Sequence, residues 1–505
     1  MNVMSAYSCP TQNDARPAIN TDLDAANSRS NTLEAPVLCV DLDGTLLATD
    51  VLWESILLLL KEQAWTALLL PFWLLRGKAY FKRQIAGRVG LEAAHLPYRQ
   101  DLLMFLRQQK EVGRRIVLTT ASDREAVEPI VTHLKIFADV IASDGVVNLS
   151  GRNKCKVLEE RFGRRRFDYV GNARIDLPLW RAANAAHLVA PSWRVLNYAK
   201  SSASVQHVFS VRKNPFPTIL KALRVHQWSK NALLLVPLVT AHRVFDVSLL
   251  LKAICAFTVF SLCASGVYLL NDLLDLGADR QHPKKKFRPF AAGTLAISTG
   301  LLLLPLLLLS AFLLALMTLP YIFTAILALY LITTTAYSFR LKKVIVIDVI
   351  LLAGLYTLRV LAGGVAEDIV VSTWLLALSI FLFLSLAFMK RYAELSVLQT
   401  QKRESATGRD YLSSDKEWLG SMGTSSGFLS VLVLALYISS KDVEVLYSHP
   451  KVLWLICPCL LYWIARMWSF AYRGQLDDDP IVVAAKDRWS YVVGAVIAVI
   501  VIVAL

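Results

Sequence analysis

The chain has 505 residues, a hydrophobic fraction of 55% and a formal charge of +15. A mean hydropathy of +0.47 excludes an ordinary soluble protein and requires a membrane part. Seven cysteines fall at no metal-binding spacing and suggest no disulfide framework, which suits a reducing compartment.

Residues 1–35 are rich in Asn, Ser, Thr, Asp and Ala and carry no apolar stretch. They read as a disordered tail without a signal peptide, so the N-terminus is expected in the cytoplasm. Residues 36–199 alternate short apolar runs with helical patterns, as an α/β domain does. The runs are "APVLCVDLDGT", "RRIVLTTAS", "FADVIAS", "FDYVGN" and "AAHLVAP". In the first, Asp41 and Asp43 lie just beyond a strand, and Gly44 and Thr45 turn the chain. Alternation puts both carboxylates on one side of the strand end, where α/β sheets bind ligands. One acid there can attack phosphorus while the other manages protons. The stretch 55–77 is strongly apolar but broken by Lys61, Glu62 and Pro71, so neither half spans a membrane. Two readings stand: a helical cap with a greasy face on the bilayer surface, or a hairpin buried in its own domain. Residues 200–216 are polar and Pro-containing and read as a linker.

The "DLDGT" motif resembles the haloacid dehalogenase-like phosphatase superfamily over about residues 36–195. The resemblance implies a Rossmann-type sheet with a helical cap. It makes Asp41 the nucleophile, Asp43 the general acid/base, Thr120 the phosphate-binding hydroxyl (Thr119 being the adjacent alternative) and Lys154 the charge-balancing lysine. Mg²⁺ would be held by Asp41, Asp43 and Asp176, with Asn172 standing where an acid is usual. The domain is then either a phosphatase or a decayed one that docks on or regulates the membrane half.

From residue 217 the pattern changes to nine apolar segments: 228–244, 248–270, 294–318, 320–338, 344–364, 370–390, 422–439, 451–471 and 487–505. Cations crowd alternate loops: Arg280, Lys284, Lys285, Lys286 and Arg288; Arg340, Lys342 and Lys343; Lys390 to Lys416; Arg473 to Arg488. The positive-inside rule then predicts a multi-pass inner-membrane protein with a cytoplasmic N-terminal domain and an outward C-terminus. The charge follows the membrane, so a lipid bilayer and no nucleic acid is the expected partner.

"NDLLDLGADRQHPKKKFRP" ends the second segment. Asn271, Asp275 and Asp279 recur every four residues and share a helix face, with Asp272 beside them. Such acids hold Mg²⁺, which binds phosphate oxygens alongside, while Lys285, Lys286 and Arg288 grip the remaining charge. In the fifth segment Asp348 and Arg359 are eleven residues apart, about 20° beyond three helical turns, and so lie on one side. An arginine that deep faces a polar cavity or a structural partner. Gly354, Gly363 and Gly364 permit close helix approach.

Residues 217–505 resemble the UbiA superfamily of intramembrane prenyltransferases, through the motif at Asn271, Asp272, Asp275 and Asp279 and a second at Tyr337, Lys342 and Asp348. The resemblance implies an all-α nine-helix bundle with a Mg²⁺–diphosphate site at Asn271, Asp272, Asp275, Asp279 and Asp348, Asp275 and Asp279 being the catalytic acids. "RVHQWSKN", which contains Lys230 and Asn231, together with "DRQHPKKKFRP", "KRYAEL" and "DDDPIVVAAKDRWS", is similar to the decaprenyl-phosphate phosphoribosyltransferase branch. That branch implies a phosphoribosyl diphosphate donor and a polyprenyl phosphate acceptor, with Lys285, Lys286, Arg288, Tyr337, Lys342 and Arg359 among the substrate contacts. The alternative is classical transfer from a prenyl diphosphate to an aromatic or other acceptor. Asp477, Asp478 and Asp479 either close the site or form a solvated turn.

Overall fold

The computed structural model describes residues 35–210, 214–400, 410–476 and 479–505. All but the last residue of the expected tail, and Asp477 and Asp478, lie outside that description.

The N-terminal half is built on six parallel strands: β1 (Val37–Val40), β2 (Ile116–Asp123), β3 (Asp139–Ser143), β4 (Phe167–Gly171), β5 (Ala186–Val189) and β6 (Val205–Phe209). Their order is β3-β2-β1-β4-β5-β6. The central strands β1 and β4 read as apolar runs because helices cover both faces of a parallel sheet. The order reverses between β1 and β4, and the crevice beyond their carboxyl ends is the natural ligand site of such a sheet.

One boundary differs from the expectation. Residues 205–209, read as part of a linker, pair in parallel with β5 as the sixth strand. β6 is an edge strand with mostly exposed side chains, so "VQHVF" carries the mixed polar pattern that an edge tolerates.

The insert between β1 and β2 is helical. Helix α1 (Val51–Glu62) is capped by the Asp50 carboxylate, which accepts from the Leu52 and Trp53 N–H groups. Ile56, Leu59, Trp73 and Ile85 bury one face of the insert. Trp65, Leu68, Phe72 and Leu75 leave another bare, with Leu75 85% exposed. The 55–77 segment thus has a packed side and a naked apolar side.

The C-terminal half is a helical bundle in which, among the described residues, seven helices are long and apolar enough to cross a membrane. These are Val247–Leu274, Ile297–Thr318, Tyr321–Phe339, Ile347–Glu367, Thr373–Thr400, Ser413–Ile438 and Pro450–Tyr472. Two of the nine expected spans take another form. The last is a pair, Pro480–Lys486 and Arg488–Ala504, bent by 80°, which makes an eighth span if counted as one. The first, 228–244, folds as a 3-10 stretch Val225–Leu235 followed by a short helix Val236–Thr240. Its Lys230 and Asn231 are buried beside partners from other helices, and Pro237 lacks the N–H that a continuous helix would use.

This irregular segment lies hard against the bundle. A Cβ placed on Gly363 would lie 2.0 Å from the Leu234 carbonyl oxygen, whereas one on Gly354 meets nothing within 4 Å. The two halves of the chain also share a core. Leu57 and Trp53 of α1 pack with Leu269, Leu273, Leu276 and Phe290 of the membrane half.

Gly363→Ala is expected to lower bundle stability by about 1–3 kcal/mol or more through backbone overpacking. Gly354→Ala leaves it unchanged; thermal unfolding of the purified protein in detergent compares them.

Candidate functional site

The soluble site forms where the β1 end, the β2 end and β4 meet. Lys154 Nζ donates to Asp41 Oδ1 at 2.6 Å, and the Thr45 hydroxyl donates to Asp41 Oδ2 at 3.0 Å. Burial works against the Lys154 ammonium, but the Asp41 and Asp176 charges hold it above its ordinary value. Asp43 accepts from the Val51 N–H at 2.8 Å, from Ser122 Oγ at 2.7 Å and from Thr120 Oγ1 at 3.3 Å. Thr119 instead turns to the Val40 carbonyl, so Thr120 is the hydroxyl facing the acids. Asp176 accepts from the Asn172 and Ala173 N–H groups and from the Tyr169 hydroxyl, which also receives a bond from Lys154. Asn172 lies over the β1 loop: its Nδ2 is 2.2 Å from where a Gly44 Cβ would stand, and Gly44 has φ +73°.

Burial, then the neighbouring Asp50 and Asp41 charges, push the Asp43 carboxyl up to about 7. Burial and Asp41 push Asp176 up to about 6. Carboxyls crowded this way repel one another, and a divalent cation sharing its shell with substrate oxygens would relieve that repulsion. Asp41, Asp43 and Asp176 are the acids within reach of the site rather than a complete ligand set.

The membrane site is built at the end of the Val247–Leu274 helix. Asp272 is 2% exposed and pairs with Arg224 and with Arg288, at 3.2 Å from the latter. Arg288 also donates to Asp279 at 2.7 Å. Asp275, more open, meets Lys342 at 3.3 Å and Lys61 of α1 at 3.5 Å. Lys285 and Lys286 lie exposed on the turn Lys285–Phe287. Asn271 Oδ1 is buried and makes no hydrogen bond. The shared helix face expected for Asn271, Asp275 and Asp279 is interrupted, because the long helix ends at Leu274 and Asp279 lies on the next helix, Leu276–Gln281. The orphaned oxygen and the two carboxylates are nonetheless hard-oxygen donors of the kind Mg²⁺ takes. Among the described residues no three His, Cys, Asp or Glu side chains converge to hold an ion by themselves. An ion that shares its shell with substrate phosphate oxygens needs fewer.

The other expected residues fall into two neighbouring clusters. Asp348 is fully buried, 2.5 Å from both Arg391 Nε and the Tyr411 hydroxyl, and Tyr337 accepts from Arg391 at 2.9 Å. Asp348 thus sits in a structural pair rather than beside Asp272, Asp275 and Asp279. Arg359 donates to Asn231 at 2.9 Å and to Tyr330 at 3.1 Å, so it answers a cluster different from that of Asp348. Next to it Lys230 and Lys390 both donate to Asp479, at 2.8 and 3.0 Å. Burial would raise the Asp479 carboxyl, yet Lys390 and Lys230 hold it well below the usual range. Asp479 therefore closes this cluster rather than ending a solvated turn.

Sequence reasoning did not single out Ser122, Lys61, Arg224, Lys390, Arg391 or Tyr411 as site residues. Arg224 lies inside "RVHQWSKN" and Lys390 and Arg391 inside "KRYAEL", so the polar patches were visible while the partners were not.

The UbiA prenyltransferase family pattern matches residues 232–486. An uncharacterized protein, y4nM, of Sinorhizobium fredii is 35% identical over 92% of this chain and 90% of its own length. The decaprenyl-phosphate phosphoribosyltransferase of Mycobacterium tuberculosis is 33% identical over 55% of this chain and 94% of its own. Among solved structures, a UbiA homologue from Archaeoglobus fulgidus bound to DMAPP and Mg²⁺ is 17% identical over 57% of this chain and 97% of that chain, with a TM-score of 0.43.

The raised Asp43 carboxyl stays protonated in the folded state over a pH range where the unfolded chain has already ionised. Its contribution to stability is therefore complete below about pH 4 and lost as pH climbs to about 7. In chelator-treated buffer, Asp43→Asn is expected to raise the unfolding temperature of the soluble half. The gain grows from pH 4 to pH 7 and levels off above; tryptophan fluorescence melts across that range check it.

Proposed function

The chain belongs to the UbiA prenyltransferase family, and from that premise we propose that its membrane bundle moves a phosphoribosyl group from 5-phosphoribosyl diphosphate to a polyprenyl phosphate. The carrying observation is the set of three acids at one helix end, each answered by Arg or Lys from a different element. Such a cluster is already charge-balanced, and its cations can turn to phosphate when a divalent ion takes up the acids. The choice of phosphoribosyl transfer leans on the mycobacterial relative's name, and prenyl transfer to an aromatic or other acceptor is the competing reading.

In the reaction an acceptor phosphate oxygen attacks the ribose anomeric carbon. The bond from that carbon to the diphosphate breaks, and diphosphate leaves with the bonding electrons. Asn271, Asp275 and Asp279 would hold Mg²⁺, whose chemistry there would be neutralisation of diphosphate charge. Arg288 and Lys342, paired with Asp279 and Asp275, would stabilise the charge growing on the leaving group. The Lys230–Asp479–Lys390 cluster offers the acceptor phosphate a second cationic site, where it would compete with Asp479.

The soluble half resembles a haloacid dehalogenase-like phosphatase, and its site supports phosphate removal from the lipid product or another phosphorylated compound. Asp41 attacks phosphorus, Lys154 balances the charge, and protonated Asp43 gives its proton to the leaving oxygen, then takes one back from the attacking water. The bare apolar side of the insert, at Trp65, Leu68, Phe72 and Leu75, suits contact with the bilayer surface. We place both sites at the cytoplasmic face of the inner membrane, on the side of the cation-rich loops.

Full-length protein with Mg²⁺ is offered polyprenyl phosphate and phosphoribosyl diphosphate, or a prenyl diphosphate with an aromatic acceptor, and the lipid mass is read. The expected product is the phosphoribosylated lipid; product only from the prenyl donor overturns the assignment. Asp275→Ala and Asp279→Ala should each cut transfer by about 100-fold or more. Asp41→Asn should abolish phosphate release while leaving transfer intact, and unchanged release removes the phosphatase reading.

A further inference from the structure

The last acid of the membrane motif, Asp279, lies on a helix of only six residues, Leu276–Gln281, set off from the long helix by a break at Asp275. So short a helix has little stability of its own and depends on what holds it. Much of the hold comes from the N-terminal domain. Arg280, next to Asp279, is clamped by both carboxylate oxygens of Glu54 in α1, at 3.1 and 2.5 Å. Both side chains are buried, at 8% and 5% exposure. Thr49 donates to the same Glu54 at 2.6 Å, and Arg280 Nε donates to the Ala291 carbonyl. Gln281 donates to Glu92 of the N-terminal domain at 3.1 Å. Lys61, in the last turn of α1, faces Asp275 across from Lys342.

A tether needs none of this. The apolar contact of Leu57 and Trp53 with the bundle would hold the halves together. A buried ion pair contributes little net stability because both charges lose water, and its best-attested use is to specify one arrangement. Here the specified arrangement is the helix that carries Asp279. The same α1 starts under the other acid site, where Asp43 accepts from the Val51 N–H.

We propose that the N-terminal domain is a built-in positioning element of the membrane site, an inference that rests on the diphosphate-binding reading above. Glu54 and Glu92 are positioning residues that fix the Leu276–Gln281 helix, and Lys61 is a positioning residue that adds a cation beside Asp275 from outside the membrane half.

The test uses full-length protein in lipid nanodiscs with two probes. Hydrogen exchange of the 276–281 amides reports the helix, and calorimetric binding of inorganic pyrophosphate with Mg²⁺ reports the site. Glu54→Gln should speed exchange of those amides by about tenfold or more, because Arg280 is left with an uncompensated buried charge. Lys61→Ala, at an exposed position, should weaken pyrophosphate binding about two- to fivefold at unchanged melting temperature, with Lys61→Arg restoring it. Glu92→Ala should speed the same exchange in a protein whose fold is not at risk, so the proposal stays testable if Glu54→Gln fails to fold. Unchanged exchange in the folded variants, with wild-type pyrophosphate affinity in Lys61→Ala, overturns the proposal. If the wild-type protein itself fails to bind pyrophosphate, the transfer reading falls first and this one with it.

Discussion

A charge held beside hydrocarbon must be answered by an opposite charge, and the membrane half is organised around meeting that demand. Asp272 and Asp279 share Arg288, Asp275 has Lys342, Asp348 has Arg391, and Asp479 has two lysines. Arg288 answers acids of its own loop region, while the Asp275, Asp348 and Asp479 pairs join elements far apart in the chain. The irregular 224–231 stretch, the Ile347–Glu367 and Thr373–Thr400 helices and the loop at Asp479 are tied together by two polar clusters within an apolar bundle. The cohesion of the bundle therefore draws on charged pairs as well as on apolar packing.

The two halves repeat one chemical idea on unrelated frames. In the soluble half, acids stand at the end of a central parallel strand, with Lys154 supplying the counter-charge. In the membrane half, acids stand at the end of a long apolar helix, with arginines and lysines supplying it. Both put oxygen ligands at the boundary between a packed scaffold and water, where a cation and a phosphate can enter together. Helix α1 joins them, running from beneath Asp43 to the side of Asp275. The short path would give a product of one site a high effective concentration at the other.

Local patterns were legible where one segment carries the whole signal. The apolar runs marked five of the strands, because a parallel strand covered on both faces has no polar alternation to hide it. The four-residue recurrence of Asn271, Asp275 and Asp279 marked the polar end of the long helix but not the break at Asp275 that sets Asp279 on a helix of its own. β6 was missed because an edge strand needs no apolar run. The irregular form of the 228–244 segment was not legible because hydropathy sums side chains without asking whether Lys230 and Asn231 find partners inside the bundle.

By itself the sequence determined the division into an α/β half and a membrane half and the family to which the second half belongs, and it marked the acids proposed for both sites. These follow from period, composition and short spacing, which are properties of neighbouring residues. Only the tertiary structure decided that Asp348 belongs to Arg391, that Asp479 turns inward between two lysines, and that Glu54 reaches Arg280 across 226 positions. Such pairs are set by where the backbone has already been carried by apolar packing, and no local spacing encodes the partner.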